Sequence, residues 1–256
     1  RKVVSPVLVN NEKTTIYHID FSFDNLKLGG SAFAQTLGKV GDEVPSVQDA
    51  EYFRDAFLAV QELVNKGLIL AGHDISAGGL ITTLLEMCFA NVEGGMEINL
   101  DKIKEQDLIK ILFAENPGIV IQVSDKHKEA VKQILEDAGV GYVKLGKPTD
   151  ERHILVSKGD ATYQFGIDYM RDVWYSTSYL LDRKQSMNAA PRSVSKTTRC
   201  NRWNSPSCRT SKASSHNTAS TRTAAHLPVS APPSSVKKEP TANAKWPTHS
   251  IWQASM

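Results

Sequence analysis

An abrupt change in composition near Ala189 limits which part of this chain can fold around an apolar core. Residues 190–256 contain no glycine, aspartate, phenylalanine or tyrosine. Residues 1–189 carry 20 Lys and Arg against 27 Asp and Glu, whereas residues 190–256 carry 10 against one, so the net charge changes from −7 to +9. Because the second segment is polar and has no sustained helical or strand period, it is not expected to bury enough surface to fold. We therefore predict a folded domain, residues 1–189, and an unstructured tail, residues 190–256.

The first 189 residues contain a mixture of strand-like and helix-like segments. TTIYHIDFSF (residues 14–23) alternates apolar and polar residues and predicts a strand, whereas DAEYFRDAFLAVQELVNKG (residues 49–67) has apolar residues at helical spacing and predicts a helix. Further strands are predicted over residues 68–72, 97–100, 118–123, 141–146 and 152–157, and further helices over residues 31–40, 80–90, 102–113, 125–139 and 167–185. The elements do not alternate strictly as βαβ units. This order predicts an α+β fold, a mixed sheet with helices on one face, followed by a disordered tail.

Several protein classes do not fit this sequence. No apolar run is long enough to span a bilayer, and the first residues, RKVVSPVLVN, have no signal-peptide hydrophobic region. The three cysteines are too few and too scattered for a disulfide framework or a zinc site. We expect a cytoplasmic protein with no membrane partner.

The segment HDISAGGL, between a predicted strand and a predicted helix, carries the chemistry that stands out most. Gly78 and Gly79 open the helix, and glycines at a helix start allow a phosphate to approach free backbone N–H groups. Asp74 offers the hard oxygen ligand that Mg²⁺ prefers, and the Ser76 hydroxyl can donate to a phosphate or sugar oxygen. The alternative is a plain glycine turn in which Asp74 or Ser76 caps the helix.

Two further turns have structural interpretations that we favour. In LKLGGSAFAQ, Ser31 is placed to cap a short helix. In FAENPGIVIQV, Glu115 lies in a turn before a buried strand and could serve a metal ion or act as a base, although a solvated turn carboxylate is commoner. We find no order of Ser, His and Asp that suggests a nucleophilic site.

Residues 1–187 resemble the last synthetase subdomain of the large, single-chain phosphoribosylformylglycinamidine synthases (FGAM synthetases) of purine biosynthesis. The resemblance rests on five blocks in order: IDFSFDNLKLGGSAFAQ, DAEYFRDAFLAVQELV, GHDISAGGLITTLLEMCFA, FAENPGIVIQV and DVWYSTSYLLDRKQ. Aminoimidazole ribonucleotide synthetase and selenophosphate synthetase share the subdomain fold but not this series. The resemblance thus implies a sandwich like the C-terminal domain of aminoimidazole ribonucleotide synthetase.

The resemblance also implies an activity. The family is a ligase that converts formylglycinamide ribonucleotide, ATP and glutamine to formylglycinamidine ribonucleotide, ADP, phosphate and glutamate. In the family's HD-x-S motif the aspartate is a Mg²⁺ ligand and the serine contacts ATP, which implies these roles for Asp74 and Ser76, with Gly78 and Gly79 beside the nucleotide. Many members have an acid where this chain has Ala77, so any role of that carboxylate is absent.

Family sites are shared between subdomains, so the implied partners are the remaining synthetase subdomains and the glutaminase domain of a parent chain. We therefore expect the isolated chain to be nearly inactive. Two alternatives stay open: a non-catalytic scaffold subdomain with a structural nucleotide site, and a binding protein with a basic tail. The residues of the glutaminase domain are not encoded in the reading frame that gives this sequence.

The tail reads differently one base out of frame. The codons for Lys245, Trp246 and Pro247 must be AAR TGG CCN. In the reading frame that starts one base earlier, the same bases contain a Met or Val codon followed by an Ala codon. Codon degeneracy then permits a translation in that frame that contains GTNGEREMA, and this sequence resembles the start of the family's glutaminase domain. Our hypothesis is the loss of one nucleotide near the codons for Ala189 and Ala190, by sequencing error or true mutation. The alternative is a natural basic tail that binds nucleic acid or an acidic partner.

Overall fold

The structure is a computed structural model that describes residues 3–185. Within this range the strands are β1 (Thr14–Asp20), β2 (Ile69–Asp74), β3 (Gly95–Asn99), β4 (Gly118–Ser124), β5 (Tyr142–Thr149), β6 (His153–Lys158) and β7 (Ala161–Gly166). The helices are α1 (Ala32–Thr36), α2 (Ala50–Lys66), α3 (Gly79–Phe89), α4 (Leu108–Phe113), α5 (Lys128–Asp137, after a 3-10 turn at Asp125–His127) and α6 (Ile167–Gln185). The predicted tail, residues 190–256, lies outside the described residues.

The strands form one mixed sheet in the order β2-β4-β1-β5-β3-β6-β7. Neighbouring strands are antiparallel except for β3 and β6, which are parallel, with Met96 opposite Ile154. In the part of the sheet nearest the candidate site, Asp74 of β2 lies opposite Ile119 of β4, and Asp20 of β1 lies opposite Gly118. The carboxyl ends of β1 and β2 therefore meet at the start of β4.

Helices cover both faces of the sheet, because the central strands are apolar on both sides. Val120 belongs to an apolar cluster with residues of α3 and α4, whereas the next residue, Ile121, belongs to a second cluster with residues of α2 and α5. Successive side chains of a strand point to opposite faces. The predicted α+β class and mixed sheet are confirmed, but the helices do not all lie on one face. The signal was the run GIVIQV, which is typical of a strand buried on both sides.

Local hydrogen bonds explain where elements begin and end. The helix predicted over residues 49–67 is confirmed: Asp49 accepts hydrogen bonds from the N–H groups of Glu51 and Tyr52, and Gly67 ends the helix with a φ of 69°. β1 is shorter than predicted because the Asp20 carboxylate accepts hydrogen bonds from the N–H groups of Ser22 and Phe23, which turns the chain.

Two elements near the end of the domain differ from the sequence prediction. The helix predicted over residues 102–113 forms only as α4, because Asp107 caps it and accepts a hydrogen bond from the Ile109 N–H. β7 was missed, since most of ATYQFG is exposed and lacks an apolar face. It forms because it pairs with β6 along its whole length.

Candidate functional site

The segment from Asp74 to Gly79 forms a tight turn between β2 and α3. β2 delivers His73 and Asp74 to the edge of the sheet through pairing with β4. The turn is then held to the same strand, because the Ile75 N–H donates to the Gly118 carbonyl oxygen at 2.9 Å. The predicted site residues Asp74, Ser76, Gly78 and Gly79 are thereby brought together on one short, well-anchored segment.

Both glycines are required by the backbone. Gly78 has a φ of 90° and Gly79 a φ of 72°, values that other residues rarely adopt. A Cβ on Gly79 would lie 2.7 Å from the Leu112 carbonyl oxygen, and a Cβ on Gly78 would lie 2.3 Å from the Thr82 hydroxyl oxygen. The glycine pair therefore has a structural reason that is independent of any ligand.

The side chains of Asp74 and Ser76 do not cap α3. The N-cap residue is Gly78, which makes no side-chain capping hydrogen bond, and Asp74 and Ser76 are exposed. The Asp74 carboxylate lies 3.5 Å from His73 Nδ1, and the other ring nitrogen of His73 lies 3.2 Å from Glu86. The capping interpretation of Asp74 and Ser76 is thus excluded, and both side chains face solvent.

Glu115 joins this turn to the other glycine turn of the chain. One oxygen, Oε1, accepts hydrogen bonds from the Gly78 N–H and from the Ala32 N–H, both at 2.8 Å. The favoured interpretation of Glu115 as a solvated turn carboxylate is wrong, because this half-buried side chain connects the starts of α1 and α3. Ser31 caps α1 as predicted, accepting a hydrogen bond from the Ala34 N–H. Sequence reasoning missed this connection, since nothing in FAEN identifies the partners of Glu115.

The glycine N–H groups are engaged within the protein. The Gly78 N–H donates to Glu115, and the Gly79 N–H donates to the Ser76 carbonyl oxygen at 3.0 Å. A phosphate at this turn would therefore meet the exposed side chains of Asp74 and Ser76 before it met these two amides. The nucleotide roles of Gly78 and Gly79 stay predictions.

Residues 3–185 contain no group of three or more His, Cys, Asp or Glu residues placed to hold a metal ion. Asp74 is an exposed carboxylate, which fits Mg²⁺, an ion that usually takes one or two protein carboxylates and completes its octahedron with water and substrate phosphates. Asp74 would be the ligand from this turn, and the remaining ligands would come from phosphate and water.

No helix in the described range is long and apolar enough to cross a membrane. Cys88, the cysteine within this range, is fully buried in the core, and burial raises the pKa of its thiol to about 12. The predicted lack of a disulfide framework rests also on Cys200 and Cys208, which lie outside the described residues.

Residues 19–158 match the family model described as AIR synthase related protein, C-terminal domain. The chain is 35% identical over 189 residues to a probable phosphoribosylformylglycinamidine synthase, chloroplastic/mitochondrial, of Arabidopsis thaliana, covering 73% of this chain and 13% of that protein. It is 33% identical over 196 residues to the phosphoribosylformylglycinamidine synthase of Homo sapiens, covering 75% of this chain and 14% of that protein. The chain thus spans only a small part of the length of these relatives.

Solved structures share the fold. PurL of T. maritima complexed with ATP has a TM-score of 0.52 and 15% identity, covering 66% of this chain and 27% of that chain. The same enzyme complexed with FGAR has a TM-score of 0.53 and 18% identity, covering 66% of this chain and 29% of that chain. At these identities the likeness shows the fold alone, and it agrees with the sandwich expected from the sequence.

Proposed function

Since the chain belongs to the AIR synthase related family, as a domain of the C-terminal type, we propose that it is a subdomain of a phosphoribosylformylglycinamidine synthase. The activity of that enzyme is the ATP-driven conversion of formylglycinamide ribonucleotide and glutamine to formylglycinamidine ribonucleotide, a step of purine biosynthesis. The relatives from Arabidopsis thaliana and Homo sapiens carry this name, and their alignments cover 73% and 75% of this chain. Their much greater length supports partners in the rest of a parent chain.

The main support for nucleotide binding at this turn is the exposure of the Asp74 and Ser76 side chains. Both are exposed at the carboxyl end of β2, and neither is used to cap α3. The turn is rigid, because its amides are fixed by Glu115 and by the Ser76 carbonyl oxygen. An anchored turn that exposes a carboxylate and a hydroxyl side by side can hold Mg²⁺ and a phosphate oxygen.

ATP and Mg²⁺ are the cofactors that we assign to this turn. ATP and its analogue AMPPCP are bound by PurL of T. maritima, which has the same fold. Mg²⁺ is inferred from the chemistry of Asp74. When bound, the ion would neutralise phosphate charge, while Asp74 would fix its position and the Ser76 hydroxyl would donate to a phosphate or sugar oxygen.

The surface of α6 supports the proposed partners. Tyr169, Val173, Leu180 and Leu181 are each more than half exposed, an unusual amount of apolar surface for one helix. In a parent synthase the remaining synthetase subdomains would cover such a surface, and the glutaminase domain would follow. The expected cytoplasmic location stays a prediction, because the Arabidopsis relative is named chloroplastic/mitochondrial.

The test uses the full synthase that contains this chain. Asp74→Asn and Ser76→Ala should lower the turnover of formylglycinamide ribonucleotide by about tenfold or more, and Asp74→Asn should raise the Mg²⁺ concentration required. Asp160→Asn, an exposed carboxylate of the β6–β7 turn, is the matched control and should have no effect.

The outcomes separate the alternatives. Unchanged turnover with loss of a tightly retained nucleotide from Asp74→Asn would show the structural nucleotide site of a scaffold subdomain. Unchanged turnover together with unchanged nucleotide binding would refute any nucleotide role of the turn.

A further inference from the structure

The residue before the proposed Mg²⁺ ligand, His73, lies between two carboxylates, and the proposed function does not use it. Its ring nitrogen Nε2 lies 3.2 Å from a carboxylate oxygen of Glu86, which belongs to α3. Its other ring nitrogen, Nδ1, lies 2.8 Å from the main-chain carbonyl oxygen of Asp74 and 3.5 Å from the Asp74 carboxylate. A chain of contacts therefore runs from α3 through the imidazole to the end of β2.

These contacts give the His73 ring one preferred orientation. A carbonyl oxygen and an ionised carboxylate only accept hydrogen bonds, so each contact is favourable when the ring nitrogen donates. Turning the ring over would place carbon atoms against both oxygens and would lose both contacts. The side chains of His73 and Glu86 are 18% and 24% exposed, so water competes with these contacts only in part. Glu86 therefore holds the imidazole edge that bears Nδ1 beside Asp74.

The Asp74 side chain needs such support, whereas its main chain does not. The main chain is fixed because Asp74 pairs with Ile119 in the sheet and the Thr83 hydroxyl donates to the Asp74 carbonyl oxygen at 3.0 Å. The carboxylate is 77% exposed, and among residues 3–185 it is the His73 ring that lies within ion-pair distance of it. An exposed aspartate can populate several staggered χ1 rotamers. The rotamer of Asp74 therefore depends on His73.

We propose that His73 and Glu86 are positioning residues of the Mg²⁺ site. Glu86 orients the His73 ring, and the ring selects the Asp74 rotamer that presents the carboxylate to the ion. This inference rests on the proposed function, in which Asp74 is the Mg²⁺ ligand. Removing a residue that orients a metal ligand typically lowers metal affinity by about 10–100-fold. We expect a loss at the lower end of this range, because the exposed carboxylate can still reach the productive rotamer without support.

The first experiment needs neither ATP nor Mg²⁺. Three-bond NMR couplings of Asp74 in the 256-residue chain report its χ1 rotamer populations, and the wild-type chain should show one dominant rotamer. Glu86→Leu removes the acceptor for Nε2 and should shift the couplings toward the average over several rotamers. Glu86→Gln keeps an acceptor oxygen and should preserve the wild-type couplings.

Two further variants complete this measurement. His73→Phe keeps a planar ring without its nitrogens and should disperse the Asp74 rotamers as Glu86→Leu does, so the test does not depend on one variant folding. Glu62→Leu removes a carboxylate that is paired with Lys66 on α2, and this control should leave the Asp74 couplings unchanged. Circular dichroism checks the fold of each variant.

The second experiment uses the full synthase that contains this chain. Glu86→Leu should raise the Mg²⁺ concentration for half-maximal turnover about tenfold and leave kcat at saturating Mg²⁺ nearly unchanged, because the ligand is present but less often in position. Glu86→Gln and the control Glu62→Leu should leave the Mg²⁺ requirement unchanged.

The inference and the proposed function can fail separately. Several Asp74 rotamers in the wild-type chain, or unchanged rotamer populations in both Glu86→Leu and His73→Phe, would overturn the positioning role. An equal rise of the Mg²⁺ requirement in Glu86→Gln and Glu86→Leu would also overturn it. Rotamers that disperse in Glu86→Leu, together with an unchanged Mg²⁺ requirement in Asp74→Asn, would uphold the orienting contacts and refute the metal role of Asp74.

Discussion

Replacing Glu115 should destabilise the domain more than any exposed carboxylate does, because this residue fastens two helix starts. A single oxygen accepts hydrogen bonds from the N–H groups of Gly78 and Ala32, both at 2.8 Å. A hydrogen bond to a charged group contributes about 1.5–3 kcal/mol. Because Glu115 is only half-buried, we take the lower value for each bond and expect Glu115→Ala to cost about 3 kcal/mol.

Glu115→Gln separates charge from geometry. The amide oxygen can occupy the position of Oε1 and keep both bonds, but each falls to about 1 kcal/mol because the acceptor is neutral. The expected loss of unfolding free energy is then about 1 kcal/mol, one third of the loss in the alanine variant.

Urea denaturation followed by circular dichroism measures both variants, with Glu12→Ala as an exposed control that should change stability by less than about 0.5 kcal/mol. The midpoint should fall without a change in the slope m. If Glu115→Ala stays within the range of Glu12→Ala, or if alanine and glutamine cost the same, the two bonds do not hold the turns as described.

Three other predictions concern Gly79, Cys88 and His18. Gly79→Ala should lower the free energy of unfolding by about 3 kcal/mol in urea denaturation, because a Cβ at a φ of 72° would lie 2.7 Å from backbone atoms. Gly38→Ala, at a φ of 68° in open space, should lower it by about 1 kcal/mol, and equal losses in the two variants would contradict this reasoning. Cys88 should stay unlabelled by iodoacetamide in the native protein at mildly alkaline pH and react in urea, because burial raises the pKa of its thiol to about 12; peptide mass spectrometry that finds native labelling would contradict it. Burial also lowers the pKa of His18, so below about pH 6.5 the unfolded chain binds a proton that the native ring does not, and stability should fall as the pH falls. Tm measured against pH should show a shallower acid decline in His18→Gln than in the wild-type chain, and parallel curves would refute the assignment.

The fold was predictable where capping residues, glycines and prolines mark the ends of helices and strands in the sequence. Asp49 and Gly67 mark the two ends of α2, and the apolar runs after Gly67 and Pro117 mark β2 and β4. β7 could not be predicted because its residues are mostly exposed and owe their strand conformation to pairing with β6. Predicting helices on both faces of the sheet required identifying GIVIQV as a strand that is buried on both sides. Hydrophobic periodicity alone does not identify such a strand.

The candidate site was predictable in its residues but not in its connections. Asp74, Ser76, Gly78 and Gly79 are close in sequence, so one strand-to-helix turn brings them together. Glu115 lies 37 residues from Gly78 and 83 from Ala32, and its partners depend on how β4 lies against β2 in the sheet.

The central claim is that the exposed side chains of the Asp74–Gly79 turn receive Mg²⁺-ATP. The most direct measurement is a ¹⁵N–¹H NMR titration of the 256-residue chain with ATP, with and without Mg²⁺, in the wild-type chain and in Asp74→Asn. We expect weak binding in which the amide resonances of Asp74, Ser76 and their turn neighbours shift, with a Mg²⁺-dependent part that Asp74→Asn removes. Unchanged resonances across the turn, or shifts that are identical in Asp74→Asn, would contradict the claim.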